Sequence, residues 1–322
     1  MKPVRTLLVA FTALCIFGNP LNVRAADNKP DRQVAITIDD LPAASNVMSA
    51  ATITQMTTKL LTTLRDQKIP VVGFVNEKKL YKFGEIDERT NALKMWLDYG
   101  FELGNHTYSH ASLNRVGLKA WEDDVIQGES VTTLLLADHK MKMRYFRHPY
   151  LHTGRDLQTR REAEAFLVAR GYRIAPITLD AWDWAYAAVY EDAKRRGDTG
   201  AQDELAKSYL GYSDAVFAYS EQLSKQIVGY EPKQIILLHA NQLEADHIGE
   251  LLELFRKRGY RFITLEDALN DPAYSLPDTY VGEDGTGWLD HWGLSQGKIP
   301  QGAPVFPQAV IEKWRTLAPT QP

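Results

Sequence analysis

Cysteine is nearly missing from this sequence, with one residue, Cys15, in 322. A lone cysteine supports neither a disulfide framework nor a thiolate centre. Excess charge is missing too. Lys and Arg number 37 against 41 Asp and Glu, a formal net charge of −4. That balance leaves no electrostatic footprint for nucleic acid or an anionic membrane surface. The sequence has no internal repeat, low-complexity tract or long run of like charge. The apolar run Leu7 to Phe17 falls short of the ~20 residues of a membrane span. With 44% hydrophobic and 24% charged residues, the chain is neither disordered nor collagen-like, and it is long enough to bury a large core.

The first 25 residues read as an export signal. Lys2 and Arg5 precede the apolar run, and Val23-Arg24-Ala25 offers the small residues of a cleavage site after Ala25. Leu14 stands where lipid attachment at Cys15 would need a small residue. Cleavage removes three bases and no acids, taking the net charge from −4 to −7, and it removes Cys15. The expectation is a secreted or periplasmic protein with no stable membrane anchor.

From residue 26 onward, short β-branched runs alternate with longer amphipathic stretches, the pattern of an α/β protein. Strands are expected at 34–38, 71–75, 101–103, 143–146, 173–179, 235–238 and 261–264. Helices are expected at about 50–65, 91–99, 119–136, 157–170 and 248–258, several closed by Gly as a C-cap. Seven strands separated by helices predict a distorted (β/α) barrel of about seven parallel strands, with a doubly wound open sheet as the alternative. The expected catalytic domain spans 26–270. Within it, 185–229 reads as an inserted helical cap broken at Arg196-Gly197-Asp198-Thr199-Gly200. Residues 271–322 read as an irregular extension wrapping over the barrel.

Chemistry in a parallel barrel gathers at the C-terminal ends of the strands. Asp39 and Asp40, His106 and His110, Arg147 and Tyr150, Asp180, Asp183 and Trp184, and His239 all fall there. Each has an ordinary reading alone: cap, surface cation, core aromatic or satisfied core histidine. Their shared rim is the stronger signal. In "HTYSH", a four-residue spacing on a helical turn aims His106 and His110 the same way, as a metal needs. The second pair, His148 and His152, ranks lower because Pro149 pushes His148 out of the helical region. Two adjacent carboxylates at a buried strand end repel, and a cation beside them relieves the cost. One Asp with two His leaves positions open for water, the pattern of a catalytic rather than a structural zinc.

Together, "TIDD" (37–40), "HTYSH" (106–110), "RHPY" (147–150), "DAWDW" (180–184) and "LLH" (237–239) resemble the five ordered motifs of the polysaccharide deacetylase family, the NodB-homology group of carbohydrate esterase family 4. The resemblance implies a divalent metal, zinc first, with cobalt or another divalent ion as alternatives, on Asp40, His106 and His110. It implies Asp39 as general base, Arg147 holding Asp39, and His239 as general acid, with Asp180 tuning it or the adjoining network. It also implies the Tyr150 N–H in oxyanion binding, and Trp184 and Leu237 around the acetyl methyl. The chain departs from the family pattern in "TIDDLP", in "LLHAN", which lacks an acid after the histidine, and in segments 185–229 and 271–322.

The resulting expectation is a secreted metal-dependent deacetylase acting on the N-acetyl amide of amino sugars in peptidoglycan or a chitin-like glycan. Two alternatives are an esterase or amidase for another small acyl group, such as the O-acetyl of xylan, and a glycan-binding module without catalysis. Sequence leaves the oligomeric state open.

Overall fold

A computed structural model describes residues 31–317, so the expected export signal and Cys15 lie outside the described residues. Eight strands form one sheet: β1 (Arg32–Leu41), β2 (Val71–Val75), β3 (Glu102–Asn105), β4 (Tyr145–Phe146), β5 (Arg173–Ile174), β6 (Leu179–Asp180), β7 (Gln234–His239) and β8 (Tyr260–Phe262). The order is β5-β4-β3-β2-β1-β7-β6, with β8 pairing with β1, and every pairing is parallel. The expected distorted (β/α) barrel is the fold.

The central strands are apolar on both faces because helices cover the outside and side chains fill the inside. Ile36, Ile38, Ile236 and Leu238 pack with Leu60, Leu61, Leu64, Leu251, Leu252 and Phe255 from flanking helices into one buried cluster. The helix Ala50–Asp66 starts at Ser49, whose side chain accepts the Thr52 N–H, a standard N-cap.

The expected strand 173–179 is two short strands. Pro176 lies between them, and a proline donates nothing to a ladder. β5 and β6 are therefore the two ends of the sheet, joined by residues 175–178 rather than paired with each other. Arg147 Nε donates to Ala175 O at 2.7 Å, and Thr178 N–H to Ile235 O at 2.9 Å. From outside, Trp288 N–H donates to Ile177 O at 2.7 Å.

That last contact belongs to the C-terminal extension, which is more ordered than expected. It contains the helices Trp288–Ser295 and Gln308–Leu317. Arg160 clamps it through Asp278, and the buried His291 donates its Nδ1–H to the same carboxylate at 2.8 Å. The helices Asp183–Arg195 and Thr199–Ile227 form the crossover from β6 to β7. The expected helix 119–136 is two, Leu118–Gln127 and Ser130–Asp138, broken at Gly128.

Candidate active site

Strand register sets the first pair. Asp39 on β1 is aligned with His239 on β7, so a carboxylate and an imidazole leave neighbouring strands at one level. Alternation would send Asp39 and Asp40 to opposite faces. Instead the β1–β2 register shifts between Ile38 and Leu41, and Asp40 takes φ 70°. This local bulge turns the second carboxylate into the same cleft.

The two motif histidines converge without a helix. Residues 106–110 are an irregular loop with Thr107 and His110 at φ 61° and 62°, a correction to the helical turn expected from their spacing. Side chains hold this shape. Asn105 Oδ1 accepts the Thr107 N–H at 2.7 Å, Asn76 Nδ2 donates to His106 O at 2.5 Å, and Asp124 accepts both N–H and O–H of Ser109 at 2.9 Å. Gly128 makes room, since a Cβ there would sit 2.8 Å from Tyr108 N.

The resulting site could hold a metal. Among the described residues one cluster has that geometry: Asp40, His106 and His110, whose ligand atoms all lie within 4.8 Å of one another. His106 Nδ1 is 2.7 Å from Arg147 O, which fixes the proton on Nδ1 and leaves the Nε2 lone pair facing Asp40. Asp40 Oδ1 is buried and accepts no well-formed hydrogen bond, so the donor set fits a cation. Burial pulls both imidazoles below their ordinary range, His110 to about 4, which keeps them neutral as ligands must be. His148 and His152 form no such site. His148 stacks on Trp121 with ring centroids 5.4 Å apart, and His152 bonds Ser112.

Arg147 is fully buried. Its Nη1 lies 3.3 Å from Asp39 Oδ2, its Nη2 donates to Thr37 Oγ1 at 2.9 Å, and its guanidinium lies over Phe74. Asp39 Oδ1 has no partner and is buried at the cleft. Burial pushes Asp39 up to about 6, against the pull of Arg147 and His239. Such a carboxylate is ionised at neutral pH yet able to take a proton.

His239 is held by Asp183, not by Asp180. Asp183 Oδ1 meets His239 Nδ1 at 2.8 Å, while Oδ2 accepts the His239 backbone N–H at 2.9 Å and Asn241 Nδ2 at 2.8 Å. Burial alone would lower His239, but Asp183, then Asp40 and Asp39, outweigh it and push it up to about 10. Asp183 opens a helix, where the aligned N–H dipoles favour a carboxylate. Asp180 accepts the Trp182 N–H at 2.9 Å and serves the adjoining network around Arg147. Either acid of "DAWDW" suits the partner role by type; the helix start marks Asp183 as the inward one.

A cleft of about 480 Å³ unites these groups: Asp39, Asp40, His106, His110, His239 and Asp180, with Tyr150, Trp184 and Leu237 on its walls. Lys79, Gly285 and Trp314 had no role in sequence reasoning, whereas Trp182, like Trp288 and Trp292, is an aromatic that the sequence offers for stacking on a sugar face. Lys79 Nζ lies 3.2 Å from Asp40 Oδ1. Trp182, Gly285 and Trp314 line the cleft, the latter two from the C-terminal extension. Among the described residues, eight non-glycine residues have positive φ, and five of them line this cleft: Asp40, His110, Tyr150, Leu151 and Trp182. Such backbone strain concentrates where function over-determines geometry.

A family model for polysaccharide deacetylase matches residues 26–166. A peptidoglycan-N-acetylglucosamine deacetylase from Bacillus cereus is 23% identical over 238 residues, which are 72% of this chain and 66% of that protein. The chain therefore spans just under two thirds of that relative's length. Similar solved structures include a family 4 carbohydrate esterase from Streptomyces lividans in complex with acetate, at 18% identity, covering 73% of this chain and 95% of that one, with TM-score 0.46. Another is a family 4 pseudoenzyme from Bacillus anthracis, at 16% identity, covering 75% and 66%, with TM-score 0.47.

Proposed function

We propose that the chain is a polysaccharide deacetylase, an exported, metal-dependent hydrolase that removes the acetyl group from N-acetylated amino sugars of a glycan, a reading supported by the family-model match over residues 26–166 and by the likeness to a peptidoglycan-N-acetylglucosamine deacetylase. Peptidoglycan and chitin-like chains are the substrate classes. One observation carries the reading: an unpartnered base oxygen of Asp39 and a clamped His239 flank one Asp-His-His cluster in a single cleft.

Asp40, His106 and His110 would hold the divalent ion, zinc first. When bound, such an ion supplies a Lewis acid that makes water nucleophilic at neutral pH. The rest falls to the protein's own groups. Asp39 Oδ1 takes a proton from the attacking water, with Arg147 fixing the other oxygen. His239 Nδ1 is committed to Asp183, so Nε2 gives its proton to the departing nitrogen. The C–N bond breaks, and acetate and a free amine result. Leu237 and Trp184 form the apolar wall for the acetyl methyl, and the Tyr150 N–H is a donor for the developing oxyanion.

The test is acetate release by the metal-loaded chain from chitooligosaccharides, peptidoglycan, acetylxylan and small N-acetyl amides, with and without chelator. Chelator-sensitive release from the N-acetyl glycans is expected. Release from acetylxylan alone would reassign the bond, and release from none would refute hydrolysis. Recovery of the chain outside the cytoplasm, starting at Ala26, tests export.

A further inference from the structure

One cation stands at the candidate metal site without a part in the reaction. Lys79 Nζ lies 3.2 Å from Asp40 Oδ1 and donates to the Asp40 backbone O at 3.3 Å. Asp40 Oδ1 is also the oxygen that faces both imidazoles, 3.6 Å from His110 Nε2 and 3.9 Å from His106 Nε2. One carboxylate oxygen is therefore addressed by an ammonium and by the two histidines of the metal cluster.

The approach of Lys79 is imposed by its surroundings. A surface lysine swings freely on its four-carbon stem, but this side chain is only 15% exposed. It belongs to the short helix Glu77–Leu80, whose fully buried Glu77 accepts the N–H groups of Val131 and Thr132. The buried Arg89 donates to Lys79 O at 3.1 Å and to Met48 O at 2.6 Å. The start of the helix is tied to both ligand-bearing segments. Asn76 N–H donates to Leu41 O at 3.1 Å, next to Asp40, while Asn76 Nδ2 donates to His106 O and the Lys78 N–H to Tyr108 O at 3.0 Å. The ammonium, the strand end with Asp40 and the histidine loop are thus one hydrogen-bonded unit. Among the described residues, Asp40 is the one carboxylate paired with Lys79.

We infer that Lys79 competes with the divalent ion for Asp40 and so sets how tightly this centre holds its metal. The inference rests on the proposed metal site at Asp40, His106 and His110. An ion bound through Oδ1 acquires a unit positive charge as a close neighbour, in a buried cleft where solvent screens that charge little. Binding must work against this repulsion and must displace the ammonium from Oδ1. The anchored helix and the bond to Asp40 O keep the ammonium beside the carboxylate meanwhile. Affinity is therefore lower than the same three ligands would give with a neutral residue at position 79.

Equilibrium dialysis of the full chain against zinc ion alone, and separately cobalt ion alone, tests this. Lys79→Gln keeps an N–H donor and removes the charge, and it should tighten binding of both ions by about tenfold or more. Lys79→Met, a second neutral variant, should tighten it likewise. Lys79→Arg keeps the charge and should stay within about threefold of wild type. The rise in urea midpoint on adding zinc is an independent reading, and it should be larger in Lys79→Gln than in wild type, because a ligand stabilises the native state in proportion to its affinity. A residue that only braces the fold would lower the metal-free midpoint and leave affinity unchanged or weaker, and that result in both neutral variants overturns the inference. Tightening by Lys79→Arg equal to that by Lys79→Gln overturns it too. If wild type binds an ion that His110→Ala loses, and the neutral variants bind no tighter, competition is refuted while the hydrolase reading stands. If neither wild type nor the neutral variants bind an ion, the metal site fails and the inference falls with it.

Discussion

Asp183→Asn separates the two acids that "DAWDW" offers to His239. The Asp183 carboxylate accepts three N–H groups, from His239 Nδ1, the His239 backbone and Asn241 Nδ2, at 2.8, 2.9 and 2.8 Å. An amide has a single oxygen for these donors. Keeping the two donors on the Oδ2 side turns its NH₂ toward His239 Nδ1, which must then accept rather than donate. The ring becomes neutral, with its remaining proton on Nε2, and a neutral imidazole is a far weaker acid than an imidazolium. One lost charge-assisted hydrogen bond is worth ~1.5–3 kcal/mol. With the misplaced tautomer added, kcat/KM should fall by about 10²–10⁴. The pH profile gives an independent reading. The general acid must be protonated, so activity is lost as pH rises through its pKa, which Asp183 holds above the ordinary histidine range in the wild type. In Asp183→Asn that alkaline limb should move to about 7 or below, the ordinary range of histidine. Asp180→Asn is the control: its carboxylate accepts the Trp182 N–H instead, so the loss should stay within about tenfold and the limb should not move. The assay is acetate release across the pH range for all three proteins. An Asp180→Asn loss equal to that of Asp183→Asn, or an unmoved limb in Asp183→Asn, would refute the assignment.

Four further outcomes are expected. Asp39→Asn should retain stoichiometric metal in equilibrium dialysis while losing about 10²–10⁴ in kcat. A base is lost as pH falls through its pKa, and burial raises Asp39 above the usual carboxylate range, so Asp39 should set the wild-type acid limb, and Asp39→Asn should abolish it. His110→Ala removes one of three ligands and should weaken metal binding by more than about 100-fold, read by the same dialysis. Arg147→Met leaves Asp39 buried without its cation and should cost about 3–5 kcal/mol, visible as a lower urea midpoint. Gly128→Ala puts a Cβ 2.8 Å from Tyr108 N and 2.9 Å from Thr107 C, forcing the histidine loop to shift. It should weaken metal binding with a stability loss of only ~1–3 kcal/mol.

What could be read from the sequence follows from what local patterns encode. The strand ends were legible because β-branched runs such as Val34–Ile38 and Ile235–Leu238 stop at polar residues, and the rim follows from where they stop. The convergence of side chains was not, because it depends on backbone that pattern rules forbid. Asp40, His110, Tyr150, Leu151 and Trp182 occupy the left-handed region without being glycine, so helical spacing gave the right pair of histidines for the wrong local reason. The split of 173–179 was signalled by Pro176, but its use was not: it opens the sheet where Arg147 and Trp288 bond the intervening carbonyls. The partner of His239 depended on where the helix after β6 begins, a matter of three residues between Asp180 and Asp183, finer than sequence fixes helix starts.

The site is assembled from two stretches of the chain. The base and the three metal-binding candidates all precede residue 166, where the match to the family model ends, whereas His239 and Asp183 follow it. The two halves meet through the β1–β7 register, which sets Asp39 beside His239, and through Arg147, which reaches from β4 to Ala175 beyond β5. The extension then bonds Ile177 and places Gly285 against Tyr150. In the proposed reading, the proton donor and most of the cleft wall thus come from the later half, with Tyr150 and Leu151 added from the earlier one, which also holds the candidate base and metal ligands. On that reading, a change in the extension at Gly285 or Trp314 would reshape the cleft wall without touching His239 or Asp183, so Trp314→Ala and Asp183→Asn should separate substrate preference from the alkaline limb.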